Sequence, residues 1–295
     1  MTPASGPPVL AAVDGSESST AALRWAARAA DRRHCALRIV SVHQWPVSGY
    51  PDSPAVGRQL RADMDAQSRA VLDAAEVVVA DTAPGVAVTT EVLEGEVVPT
   101  LRAAGEGAAL TVLGSRGVGG FSGLLLGSVS AGLTARGSTP VVVVRGDGHG
   151  GAGVLAGVDG GDGDEAVLRF AFAQAAVEDT AVTVAHAWGG FAMDGLSPGG
   201  YPGIDWTPVA ANAEDVVSRA LRPWRDEHPG ITVERVVSRA SPASLLVDLS
   251  QRACLVVVGS RGRGRLAGLL LGSTSQALVR HAGCPVAVVR PDVND

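Results

Sequence analysis

The chain repeats itself. Asp14 and Asp159, Gly114 and Gly259, and Pro140 and Pro285 each stand 145 positions apart. "VLAAVDG" at Val9 returns as "VLAGVDG" at Val154, "VSVHQW" from Val40 as "TVAHAW" from Thr183, and "STPVVVVR" as "GCPVAVVR". Solenoid units repeat every 20–50 residues or so, and a much longer period means that each copy must close its own core. The join, "RGDGHGGAG" from Arg145 to Gly153, is polar and glycine-rich, as a linker should be. Two domains are expected, residues 1–147 and 152–295.

Within a copy, short β-branched runs alternate with longer helical patterns. Val9–Val13, Leu37–His43, Val86–Leu93, Leu110–Leu113 and Val141–Val144 read as near-continuous apolar strands. Ser18 is placed to cap a helix carrying Leu23, Ala26, Ala27 and Ala30, and a second helix follows from about Gln59. Strands apolar on both faces and interleaved with helices imply a parallel sheet covered on each side, so each copy is an open five-stranded α/β domain. In the second copy Pro223 should kink or end its long helix. The Gly/Pro-rich excursion Phe191–Pro208 reads as a surface variation or a lid.

Composition removes several function classes. A net charge of −6 and a pI near 5.5 argue against a surface that gathers nucleic acid or anionic lipid. All 24 cationic side chains are arginine, which excludes a Walker lysine and Schiff-base chemistry. Cys35, Cys254 and Cys284 are odd in number and far apart, unlike a disulfide framework or a zinc site. The N-terminus lacks a basic, apolar leader pattern and no stretch approaches the ~18 apolar residues of a membrane span, so a cytoplasmic location is expected.

Directly behind "ALTVL" lies "GSRGVGGFSGLLLGSVS", Gly114 to Ser130, matched by "GSRGRGRLAGLLLGSTS" from Gly259 to Ser275. In open parallel sheets ligands sit beyond the carboxyl ends of the strands, where strand order reverses, and this loop starts there. Gly114 and Gly117 are expected to let backbone approach a ligand and to expose N–H groups from positive-φ turns. "SVSAGLTARG" reads as a helix opened by Ser128 and closed by Gly137, and a helix N-terminus attracts phosphate. The reading is a phosphate cradle made without lysine; a plain tight turn is the alternative.

Glycine, two residues, glycine, nine residues, then glycine-serine, behind a strand in a domain that opens with "VDGS", resembles the nucleotide-binding universal stress protein family. Gly114, Gly117 and Gly127-Ser128 carry the resemblance in the first copy, and Gly259, Gly262 and Gly272-Ser273 in the second. It implies a Rossmann-like sheet of the adenine nucleotide alpha hydrolase type, ordered 3-2-1-4-5, with ATP at the junction of the first and fourth strands. It implies further that Asp14 and Asp159 lie beside ribose and phosphates, through Mg²⁺ if a metal is present, and that backbone at Gln44 and Ala187 seats adenine. Ser128, Ser130, Ser273 and Ser275 would donate to the outer phosphates, with Arg116 and Arg261 either screening charge or solvated.

The second copy turns "DGSES" into "DGGDG", losing the hydroxyl of Ser16 and gaining Asp162 and Asp164, while Arg263 and Arg265 offer compensation. Both copies are expected to bind, the first more securely. His43 and His186 end the second strands without an adjacent acid, which favours hydrogen-bonded imidazoles over catalytic ones. The leading function is an ATP-holding regulatory module with weak hydrolysis at most. A slow ATP hydrolase or adenylating enzyme and an empty interaction scaffold are the alternatives. The closing strands "PVVVVR" and "PVAVVR" are candidate edges for an internal pseudo-dimer of the two domains or for a homodimer.

Overall fold

A computed structural model describes residues 6–44, 54–118, 126–146, 151–189, 205–262 and 271–291. The chain divides into two compact units, Met1–Gly148 and His149–Asp295. The first runs β1 (Val9–Ala12), α1 (Glu17–Arg32), β2 (Leu37–His43), α2 (Pro54–Thr82), β3 (Val88–Glu94), α3 (Val97–Ala104), β4 (Leu110–Gly114), α4 (Ser128–Arg136) and β5 (Val141–Val144). The second runs β6 (Val154–Gly157), α5 (Asp164–Glu178), β7 (Val182–Ala187), α6 (Thr207–Glu227), β8 (Val233–Ser238), α7 (Pro242–Ser250), β9 (Leu255–Gly259), α8 (Ser273–His281) and β10 (Val286–Val289).

In the first unit Val9 is in register with Leu37 on one side and Leu110 on the other, and all strands are parallel. With β3 beyond β2 and β5 beyond β4, the order is 3-2-1-4-5. The second unit has the same order, β8-β7-β6-β9-β10. Each unit leaves its first strand in one direction and returns for the fourth in the other, so a crevice opens between those two strands at their carboxyl ends. Right-handed crossovers place the first two helices on one face and the last two on the other. Accordingly α1 packs with α2, and α3 with α4.

Strands β1, β4 and β5 carry fully buried apolar side chains such as Val9, Leu10, Val112 and Val142. Each is worth about 1.5–3 kcal/mol relative to exposure. The alanines of α1, among them Ala22, Ala26, Ala27 and Ala30, are buried and let the helix settle closely on β1 and β4.

Four features differ from the sequence reading. The segment Val86–Leu93, read as an apolar strand, forms β3 from Val88 and exposes Thr89, Thr90 and Glu91, because it lies at an edge. The cap of α1 is Ser16 rather than Ser18: Gly15, at φ +82°, turns the chain so that Ser16 is the last extended residue, and Ser16 Oγ accepts from Ser19 N at 3.1 Å. The short helices α3 and α7 were not foreseen. Of the two outcomes expected at Pro223, a kink or an end, the end does not occur: α6 runs on to Glu227, since burial of Val216, Val217, Leu221 and Trp224 outweighs the ~3 kcal/mol that a proline costs a helix interior.

A candidate anion-binding crevice

A cavity of about 500 Å³ opens at the carboxyl ends of β1 and β4 in the first unit. Of the residues singled out from the sequence, Asp14, Gly114, Arg116 and Gly117 line it from the β1 and β4 ends. Gly127, Ser128 and Ser130 line it from the start of α4. Val40, Val42, Val97 and Leu101, which were not anticipated, give it an apolar inner wall. Gln44 is exposed just past β2 and does not line the cavity.

The glycine loop is shaped by steric need. Neither Gly114 nor Gly117 has positive φ, which corrects the expected positive-φ turns. A Cβ on Gly114 would stand 2.6 Å from the carbonyl carbon of Ser18, and one on Gly117 would stand 2.5 Å from Asp14 Oδ2. The same Asp14 carboxylate ties down both ends of the site: Oδ1 accepts from Ser16 N at 3.0 Å and Oδ2 from Val118 N at 2.9 Å. Ser18 Oγ accepts from Arg116 N at 3.3 Å, so the loop is fastened to the first turn of α1.

The serines divide into two kinds. Ser130 is buried, and its hydroxyl donates to Gly114 O at 2.7 Å; Ser275 does the same to Gly259 O at 2.6 Å. Their protons, expected to reach a phosphate, instead close the loop on the strand that precedes it. Ser128 and Ser273 are exposed and open their helices as first helical residues, behind the N-caps Gly127 and Gly272. Neither helix has a side-chain cap, so the leading N–H groups of α4 face the crevice without an internal acceptor. They carry the partial positive charge of a helix N-terminus.

Two arginines add to that charge. Arg116 lines the crevice, and among the described residues neither it nor Arg145 has a carboxylate partner. Arg145 Nη1 is buried and makes no hydrogen bond. Burial, and then the nearby Arg116 charge, push the Arg145 guanidinium below its ordinary pKa. An unmet donor beside a second cation is a local excess of positive potential, and an anion would relieve it. Arg145 closes the "PVVVVR" strand, read from the sequence as a repeat motif and a candidate edge; a cation that ends a buried strand was the available signal.

The second unit reproduces the framework with changes. Gly272 N donates to Ser260 O at 2.8 Å, as Gly127 N does to Ser115 O. Asp159 lies under Gly262, whose Cβ would meet Asp159 Oδ2 at 2.9 Å. Gly259 is less constrained than Gly114, its nearest Cβ neighbour being Arg261 O at 3.2 Å. Arg261 is exposed, and Arg263 and Arg265 lie outside the described residues. Ala187 ends β7, and the next residue, Trp188, packs 6.2 Å from Trp206, with the Arg239 guanidinium 4.0 Å over the Trp206 ring. Most of the segment Phe191–Pro208 lies outside the described residues.

The two histidines are engaged in the fold. His43 Nδ1 is 3.3 Å from Ser68 Oγ, and the buried His186 Nδ1 is 2.9 Å from Val158 O. All three cysteines are free thiols, and burial raises Cys284 to about 12. Among the described residues no cluster of three or more His, Cys, Asp or Glu forms a metal cage, and no helix is long and apolar enough to cross a membrane.

The profile of the universal stress protein family matches residues 7–145 and again 153–290. A universal stress protein of Mycobacterium tuberculosis is 35% identical over 289 residues, which cover 96% of each chain. One from Mycolicibacterium smegmatis is 35% identical over 292 residues, covering 96% of this chain and 97% of its own. Among solved structures, a universal stress protein from Archaeoglobus fulgidus shares the fold, with a TM-score of 0.69 at 21% identity over 96% of this chain and 98% of its own. With the family profile matched over nearly the whole length and full-length relatives at 35% identity, the chain belongs to the universal stress protein family, in two consecutive copies.

Proposed function

We propose that the protein is a nucleotide-binding regulatory module that holds ATP at the carboxyl ends of its strands. The observation that carries this reading is the pairing of two surfaces in one cavity of about 500 Å³: an apolar wall from Val40, Val42, Val97 and Leu101, and an uncapped α4 N-terminus beside Arg116. A planar base suits the first, and a phosphate chain suits the second. Asp14 and Arg116 are the charged side chains among the described residues lining this cavity. With one carboxylate on hand, a Mg²⁺ would be held by Asp14 and by oxygens of the phosphates and water. Asp159 would stand in the same relation to the second crevice, with Gly259, Gly262, Gly272 and Ser273 as its frame.

His43 and His186 are bound to fold partners, so the reading favours retention of the nucleotide over its turnover. Mass spectrometry of the small molecules released on denaturing the purified protein tests it, with ATP as the expected product. Gly117→Val forces its side chain onto Asp14 and should abolish retention in the first half. ATP at about 100 times its Kd should stabilise the half that binds it by about 2.7 kcal/mol. A protein that releases no nucleotide and whose melting is indifferent to ATP overturns the proposal.

A further inference from the structure

The two Asp-Gly turns that enter the crevices differ at one residue that matters for charge. In the first, Ser19 stands behind Asp14, lines the cavity, and brings its hydroxyl to 3.5 Å from Asp14 N. The N–H of Gly15 has no partner among the described residues. In the second, Asp164 holds the position of Ser19. One of its carboxylate oxygens accepts from Asp159 N at 3.0 Å and the other from Gly160 N at 2.7 Å. Asp164 is only 9% exposed, and Asp159 stands beside it with Oδ1 on Gly161 N at 2.9 Å and Oδ2 beneath Gly262.

The turn therefore contains its own anion. Its two amides are taken by a carboxylate, and the negative charge at the floor of the glycine loop is doubled relative to the first half. Burial pushes the Asp164 carboxyl above its ordinary value, and the adjacent Asp159 charge adds to this, against the partial pull of the two amides and His186. The helix N-terminus of the anion-holding frame is kept, since α8 opens without a side-chain cap just as α4 does. A phosphate chain entering the second crevice would meet occupied donors and a repelling pair of carboxylates; an uncharged nucleoside would meet neither obstacle.

We infer that Asp164 sets the charge of the ligand that the second half accepts, turning it from a triphosphate site into one that favours adenosine over ATP. This rests on the nucleotide reading above. Asp164 acts as a specificity residue, through the donors it occupies and the charge it adds.

Calorimetric titration of the full chain tests the inference. With ATP, the parent protein should show one tight site and a second at least tenfold weaker. With adenosine, the two sites should fall within about threefold of each other, and this comparison needs no variant. Asp164→Ser should bring the second ATP site to within about threefold of the first. The reciprocal Ser19→Asp should weaken the first ATP site at least tenfold and weaken adenosine binding there much less. Two equal ATP sites in the parent protein, or a second site unchanged in Asp164→Ser, would overturn the inference and leave the nucleotide reading standing. Absence of ATP and adenosine binding in every variant would overturn both.

Discussion

Gly114 and Gly259 occupy matched positions and face different neighbours, which makes them an internal control. A methyl group on Gly114 would lie 2.5 Å from Ser18 Oγ and 2.6 Å from the Ser18 carbonyl carbon, and the backbone there cannot yield cheaply. Gly114→Ala should cost about 1–3 kcal/mol by overpacking. Gly259→Ala meets Arg261 O at 3.2 Å and Val167 Cγ2 at an ordinary 3.8 Å, and should cost clearly less, a contrast read from urea midpoints. Asp164 supplies a pH test at the same scale. Its carboxyl is held above the ordinary aspartate value by burial, so the folded state binds this proton more tightly than the unfolded chain. The stability it contributes is whole below the ordinary value of ~3.9 and is lost as pH rises from there through the raised folded value. Relative to the parent, Asp164→Ser should therefore gain stability as pH rises from below the ordinary aspartate value of ~3.9 toward neutrality; a difference that stays flat as pH rises would contradict the assigned cause. Residue identity was legible in the sequence here, and residue role was less so. The repeated glycines and serines marked the loop that lines the cavity, but whether Ser130 faces a ligand or the Gly114 carbonyl depends on packing between α4 and β4 that no spacing encodes.

At the scale of elements, strands were readable because β1, β4 and β5 are buried on both faces and so spell continuous apolar runs. The short helix α3 was not, since it opens on Val97, Val98 and Pro99, residues that argue for extended chain, and spans only 8 residues. Helix termini carry two further predictions. Ser16 caps α1 through Ser19 N, and Ser16→Ala should cost about 1 kcal/mol in urea unfolding, whereas Ser18→Ala should leave the cap intact. Past the end of α5, Asp179 is exposed and left-handed, at φ +48° and ψ +54°. That conformation costs an L-residue roughly 1–2 kcal/mol and glycine almost nothing, so Asp179→Gly should stabilise the second half by about 1 kcal/mol. His34, at φ +52°, holds the matched place after α1, and His34→Gly should stabilise the first half to a similar degree.

For the whole molecule, the duplication was the most legible feature, because two cores must be closed by two copies of one pattern, whatever their loops do. Each unit has its own buried centre, with Leu10, Leu23, Ile39 and Leu110 in the first and Leu155, Phe172, Leu221 and Leu255 in the second. Each also completes its own five-stranded order within the boundaries Met1–Gly148 and His149–Asp295. Each half produced alone should therefore unfold cooperatively, a property typical of single domains under ~150 residues. The consequence for the intact chain is thermodynamic. A ligand stabilises only the unit that binds it, by an amount set by its concentration over Kd. If Asp164 closes the second crevice to polyphosphate, adding ATP should raise the first-half transition in a calorimetric scan and leave the second nearly in place, so that the melt broadens or splits as ATP rises. In Asp164→Ser the two halves should climb together with ATP, and the melt should stay as narrow as it is without ligand. A parent protein whose melt moves upward as a single unbroadened transition across the ATP series would show that the two halves hold the nucleotide alike, and that the extra carboxylate is a feature of the turn alone.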